Sequence, residues 1–246
     1  MSKFLLCDVP ITKNDDKPYG GLNIFSPAIK QQAIDLYKLC QHYCKINKNH
    51  RILDFGCGTG RILNKFDNTY KYPPIGFDCC WRFISKCRDA GLKAEYLSIE
   101  HPEFNPYGYV EPTSFLLPFK NNYFDRIIGV ALLNHQDMER AERIISESLR
   151  IVKKGGLILF TAFMINSQSI TQLRYDQCVF KFKEKTANWW VTDYERPYLN
   201  CALDETTIRR TIIQNRGQIV EPIYYGHWRQ IVNTPTGHDL LVIRKI

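Results

Sequence analysis

The chain has 246 residues, 44% of them apolar and 13% aromatic, and its 33 Lys and Arg against 25 Asp and Glu give a net charge of +8. An apolar fraction near the globular average excludes a disordered or fibrous chain, and at this length roughly 70–75% of the unfolded surface can be buried without disulfide or metal staples. The longest apolar runs, such as 157–160, fall far short of the ~20 residues that cross a bilayer, and the start, Met-Ser-Lys-Phe-Leu-Leu-Cys-Asp, has too few apolar residues for a signal-peptide core.

Ser26-Pro27 is a good helix start, and apolar spacing at Ile29, Ala33, Leu36, Tyr37, Cys40 and Cys44 predicts a helix over 28–44. Cys40-Gln-His-Tyr-Cys44 lies on that helix, where two cysteines on an apolar face read more simply as core than as metal ligands. No metal is expected. The nine cysteines contain no CxxC pair and are odd in number, which reads as reduced thiols in a cytoplasmic protein.

The segment Arg-Ile-Leu-Asp-Phe-Gly-Cys-Gly-Thr-Gly-Arg-Ile-Leu (51–63) reads as a buried strand, a glycine loop and the start of a helix. Gly56, Gly58 and Gly60 let the backbone turn sharply and let a ligand approach, with the helix N-terminus presenting its N–H groups to that ligand. Pro74-Ile-Gly-Phe-Asp78 is a second short strand, ending in an acid 18 residues after Gly60. An acid at that offset in a doubly wound fold grips ribose hydroxyls; an N-cap for the helix beginning near Trp81 is the simpler alternative. Ala94–Ile99 reads as a third strand, and 100–112 is an insert rich in Pro, Tyr and Glu. Leu117-Pro-Phe, a turn and Phe124-Asp125 lead into a strand over 126–133. A helix follows over 139–152 and ends at Lys153-Lys-Gly-Gly, with basic residues against its C-terminus and glycine beyond. Another strand covers 157–161.

A dinucleotide loop would read GxGxxG, whereas Asp54-Phe-Gly-Cys-Gly-Thr-Gly60 resembles motif I of the class I S-adenosylmethionine (SAM)-dependent methyltransferases. The block from Leu117-Pro-Phe119 to Gly155-Gly156 resembles the downstream motifs of that family. The likeness is good over 51–163 and looser over 217–245. It implies an α/β fold with a doubly wound, mostly parallel seven-stranded sheet whose last strand pair is antiparallel, here with an inserted cap. The implied division is a single methyltransferase domain over 1–246, comprising an N-terminal segment over the SAM site (1–48), a SAM-binding core (49–163), a cap (164–203) and a C-terminal helix and strand pair (204–246). The implied cofactor is SAM, bound by Asp54, Phe55, Gly56, Cys57, Gly58, Gly60, Asp78, Cys79 and Ala131, with Tyr19 reaching in from the N-terminal segment. Many relatives carry an acid about four positions before the Leu-Pro-Phe tripeptide, toward the adenine; here Thr113 or Ser114 would substitute, or Glu111 reach in. The family's paired histidines after the fourth strand appear as Asn134-His135.

Methyl transfer from SAM needs alignment and water exclusion more than a covalent nucleophile. A general base helps hydroxyl acceptors. His135 is the first candidate, since imidazole titrates near neutrality, and His227 the second. In the cap, Tyr175, Phe180, Phe182, Trp189, Trp190, Tyr194 and Tyr198 alternate with Arg174, Lys181, Lys183, Lys185 and Arg196, and Val179-Phe-Lys-Phe-Lys alternates like a strand. Such a mixture stacks and neutralises nucleic acid, or it is an aromatic core with lysines facing water. The charge excess is spread +3 over residues 1–125 and +5 over 126–246, so it marks no basic block. The favoured function is methylation of a small-molecule or sugar-type acceptor, with no membrane partner. Alternatives are an RNA methyltransferase, from a loose resemblance to the wobble-uridine tRNA enzymes, a non-catalytic SAM-binding partner subunit, and an NAD-dependent oxidoreductase, which the glycine spacing disfavours. Oligomeric state and the methylated atom stay open.

Overall fold

The computed structural model describes residues 27–66, 68–220, 222–231 and 233–246; Tyr19 and Ser26 lie outside the described residues. Helix α1 (Pro27–Tyr43) precedes the parallel strands β1 (Ile52–Phe55), β2 (Ile75–Asp78), β3 (Ala94–Tyr96), β4 (Phe124–Gly129) and β5 (Val152–Ile165). Helix α2 (Trp81–Asp89) links β2 to β3, and α3 (Met138–Ile151) links β4 to β5. The chain continues through α4 (Ser167–Arg174), β6 (Lys183–Thr186), β7 (Trp189–Val191), β8 (Cys201–Asp204), α5 (Glu205–Gln214), β9 (Gly217–Ile219) and β10 (Asp239–Lys245).

Strands run in the order β3-β2-β1-β4-β5, after which β10 pairs antiparallel with β5 and β9 antiparallel with β10. These seven strands are the expected sheet. Three more join it: β8 pairs parallel with the far end of β5 through Phe163, Met164 and Ile165, and β7 and β6 follow antiparallel, making ten in all. Side chains alternate between two faces, as the strand pleat requires. Ile128, Leu157, Leu159, Leu240 and Val242 pack with Leu36 and Cys40 of α1 and with Cys44 just beyond it. Ile127, Ile158, Phe160, Leu241 and Ile243 pack with Ile144, Ile145 and Leu149 of α3 and Ile208 and Ile212 of α5. Both faces are therefore covered, as in a doubly wound fold.

Three local expectations are corrected. The helix expected after the glycine loop is a single 3₁₀ turn, Leu63–Lys65. Its Ile62 and Phe66 pack in the cluster held by α1, which already covers that face, and Pro73 and Pro74 force the return to β2 into extended backbone. Lys153-Lys-Gly-Gly is not a helix end but a bulge in β5, between the pairs Phe124–Val152 and Arg126–Leu157. Gly155 has φ +74°, and a Cβ on Gly156 would lie 2.8 Å from the Lys153 carbonyl oxygen. Ladder pairing in the cap begins at Lys183 rather than Val179. Phe180 and Phe182 do share one buried face against Phe163 and Trp228, but Val179 N–H finds its partner in the Trp228 carbonyl, at 2.8 Å.

Candidate active site

At the carboxyl ends of β1 and β2 the glycine loop folds back on the sheet. The N–H groups of Gly56 and Cys57 both donate to the Phe77 carbonyl, at 2.8 and 3.0 Å. Gly56, Gly58 and Gly60 have φ of +73°, +53° and +79°, a region that side chains other than glycine rarely adopt. A Cβ on Gly60 would also come within 2.6 Å of Leu92 Cδ1. The alternating glycines are thus required by the path of the chain itself.

Two carboxylates flank this loop. Asp78 is 8% exposed; its Oδ2 accepts from Gly58 N at 2.9 Å and its Oδ1 from Cys80 N at 2.8 Å. The N-cap of α2 is Cys80 rather than Asp78, so capping does not account for the acid. Each Asp78 oxygen retains a lone pair for a further donor such as a hydroxyl. Asp54, on the central strand, is 2% exposed, and its Oδ2 has no hydrogen-bond partner among the described residues. Burial, and then the nearby Asp78, push the Asp54 carboxyl up to about 7. Burial pushes Asp78 up to about 6, against the opposing N–H groups of Cys80 and Gly58. A buried acid with an orphaned oxygen beside a second acid is costly in isolation. A cationic, hydroxyl-bearing ligand such as SAM fits that donor demand.

The remaining cofactor candidates are placed as follows. Phe55 is buried with its ring edge-on to Phe77. Cys57 is buried and Cys79 half-buried. Ala131 takes φ +57° just beyond β4, its N–H donating to Thr161 Oγ1 at 2.8 Å. Thr113 and Ser114 are exposed on a turn, where Glu111 Oε1 accepts from Thr113 N and Oγ1 at 3.2 and 2.9 Å.

Beside this loop, three segments that are distant in sequence are clamped together. His101, in the insert, is 3% exposed, and burial, mainly, holds its imidazole down at about 3. Its Nδ1 accepts from Glu103 N and Phe104 N, so the ring proton lies on Nε2 and is donated to the His135 carbonyl at 2.9 Å. His135 in turn brings Nδ1 to 3.1 Å from the Tyr198 carbonyl of the cap. Tyr198 Oη donates to Asp137 Oδ2 at 2.8 Å, and Arg140 lies over its ring. Arg140 also pairs with Glu100 at 2.7 Å, and Arg196 with Glu103 at 2.5 Å. His135 is therefore held between the insert and the cap, its carbonyl on His101 and its Nδ1 beside the Tyr198 carbonyl. His227 is exposed and close to the Ile231 carbonyl of its own loop. His101 and Glu103 were missed because a Pro- and Tyr-rich insert carries no periodicity to flag a buried histidine. Among the described residues no three metal-ligating side chains converge.

The strand order with its terminal antiparallel pair defines the Rossmann-like methyltransferase fold. A SAM-dependent methyltransferase of Methanosarcina mazei superposes with a TM-score of 0.55 at 22% identity, over 86% of this chain and 99% of that one. The family model described as a methyltransferase domain matches residues 53–160, a little under half of the chain, so that stretch is similar to a methyltransferase domain. Among curated relatives, a tRNA (carboxymethyluridine(34)-5-O)-methyltransferase of Arabidopsis thaliana is 28% identical over 50% of this chain and 26% of its own length. A ubiquinone/menaquinone biosynthesis C-methyltransferase of Shewanella frigidimarina is 28% identical over 55% and 51%. The chain thus spans about a quarter of the first and half of the second.

Proposed function

We propose that this protein transfers the SAM methyl group to a small-molecule or sugar-type acceptor by in-line displacement. The orphaned, buried Asp54 oxygen beside the glycine loop carries the cofactor half of this reading. In it, Asp54 faces the cationic part of SAM, Asp78 takes the ribose hydroxyls, and the loop from Phe55 through Gly60 lies under the remainder, with Cys79 and Ala131 at its borders. SAM supplies an electrophilic methyl on a sulfonium; the chain aligns the acceptor, excludes water and fixes the roof.

The clamp supports the acceptor half. His101, His135, Arg196 and Tyr198 tie the insert and the cap into a fixed roof beside the cofactor loop, which suits a bounded acceptor. Within this reading His135 is a positioning residue, since its Nδ1 lies 3.1 Å from the Tyr198 carbonyl and its Nε2 3.3 Å from Asn134 Nδ2. A second reading, RNA methylation, draws on one surface: Lys183 and Lys185 flank the Tyr194 ring, at 5.9 and 5.3 Å, on the exposed strand β6. Calorimetry with SAM tests the first half, and absence of binding sinks it. Label from methyl-tritiated SAM, followed into separated small-molecule and RNA fractions of an extract, tests the second. Label in RNA, with binding of bulk tRNA that weakens as salt rises, would replace the small-molecule reading.

A further inference from the structure

Cys57 comes from the glycine loop and Cys87 from α2, yet their sulfurs converge. Each approaches the same Gly58 carbonyl oxygen, at 3.6 and 3.3 Å, and both lie in one buried cluster with Ile84 and Ala94. Cys57 is 7% exposed, whereas Cys87 is fully buried. Gly76 makes room for this meeting, since a Cβ there would lie 2.8 Å from Cys57 Sγ. The methyl-transfer chemistry proposed above uses neither thiol. We propose that Cys57 and Cys87 are a hydroperoxide-sensitive dithiol whose oxidation to a disulfide shuts off cofactor binding at the glycine loop. The switching part rests on the reading that SAM lies on this loop.

The chemistry assigns a role to each sulfur. Cys57, the one that solvent reaches, attacks the peroxide once its proton has left, a step that the neighbouring Cys87, burial and the nearby Asp78 and Asp54 slow by holding its thiol up; the O–O bond breaks, an alcohol or water leaves with that proton, and Cys57 becomes a sulfenic acid. Cys87 then attacks the Cys57 sulfur, the S–S bond forms, and the S–O bond breaks with loss of water. The two sulfurs together give up two electrons, and the peroxide is the oxidant reduced. The neighbouring Cys57 lowers the Cys87 thiol, which favours its thiolate as the resolving nucleophile. A bond between the sulfurs draws Cys57 toward α2 and displaces the peptides on either side of Gly58. One of these carries the N–H that holds Asp78 at 2.9 Å.

The test uses the full chain, reduced, then treated with hydrogen peroxide and alkylated. Peptide mapping is expected to join the Cys57 and Cys87 peptides. SAM affinity by calorimetry is expected to fall about tenfold or more, to return with dithiothreitol, and to resist peroxide in Cys87→Ser. The wild-type map decides the cross-link even if Cys87→Ser does not fold. Full alkylation of both thiols after peroxide overturns the dithiol, and a cross-linked chain that binds SAM normally overturns the switch. A reduced chain that binds no SAM overturns the cofactor reading and the switch with it, while a missing cross-link in a chain that binds SAM overturns the dithiol alone.

Discussion

Asp54 and Asp78 place a destabilising element at the centre of the sheet. Both carboxyls are raised in the folded chain above the ordinary 3.8, to about 7 and about 6. Between those limits the native state holds protons that the unfolded chain has released, so their contribution to stability is complete below about pH 4 and is lost as pH rises to 7. At about 1.4 kcal/mol per pKa unit the Asp54 shift amounts to ~4 kcal/mol at most, an upper bound because the two acids titrate together. The melting temperature of the ligand-free protein, followed by calorimetry, is expected to fall from pH 5 to pH 8, and Asp54→Asn to flatten that fall. The same substitution is expected to weaken SAM binding about tenfold, since a cation is complementary to the ionised acid. A melting temperature independent of pH in wild type would contradict the account. Gly76→Ala tests the adjoining contact: its Cβ would come within 2.8 Å of Cys57 Sγ and Leu63 Cδ2. An overpacked site of this kind costs about 1–3 kcal/mol, read as a lower melting temperature together with weaker SAM binding. The sequence made Asp54, the glycines and Asp78 legible because covalent spacing alone sets their order along β1, loop and β2. It did not reveal that Cys87, 30 positions beyond Cys57, would close on the loop, because α2 meets it only through tertiary packing.

At the scale of elements, long periodic segments were readable and short connecting ones were not. Helix α3 came through because Ala141, Ile144, Ile145 and Leu149 hold one face. The stretch after Gly60 was misread as a helix because Ile62, Leu63 and Phe66 keep helical spacing, although α1 already occupies the face they would cover. The β5 bulge was misread as a helix end because Gly155-Gly156 serves either purpose locally, and only the pairing with β4 decides. The insert gave no signal, yet it holds the cap through Glu103 and Arg196, whose side chains are 13% and 27% exposed. Glu103→Gln removes the charge and keeps the shape. We expect faster amide exchange in β7 and β8, SAM affinity within about twofold of wild type, and a lower turnover once an acceptor is in hand. Equal loss of SAM affinity and of cap protection would make the insert part of the cofactor site instead.

Across the whole molecule, the seven-stranded sheet and its three-stranded extension meet along β5, whose near end pairs with β10 and whose far end pairs with β8. Arg229 and Asp239 lie at that seam, both fully buried. Asp239 Oδ1 accepts from Gly226 N and Trp228 Nε1 at 2.7 and 2.8 Å, and Oδ2 from Met164 N at 2.8 Å. Arg229 reaches the Met164 carbonyl, Asn166 Oδ1 at the start of α4, and Asp239 Oδ2 at 3.3 Å. One ion pair thus joins β5, β10, α4 and the loop that carries Trp228 into the cap cluster. A buried pair adds little net stability, but removing one partner strands the other charge at a cost of about 3–5 kcal/mol. Arg229→Met leaves Asp239 buried with only neutral donors. Trp189, Trp190 and Trp228 lie in or against the cap, so tryptophan fluorescence reports mainly on that part, while far-UV circular dichroism reports on the whole sheet. In wild type the two melting curves are expected to coincide. In Arg229→Met both should shift down, and fluorescence should change first, because the seam fails before the seven-stranded sheet does. Curves that move down together would make Arg229 a general stabiliser rather than the tie between the two parts of the sheet.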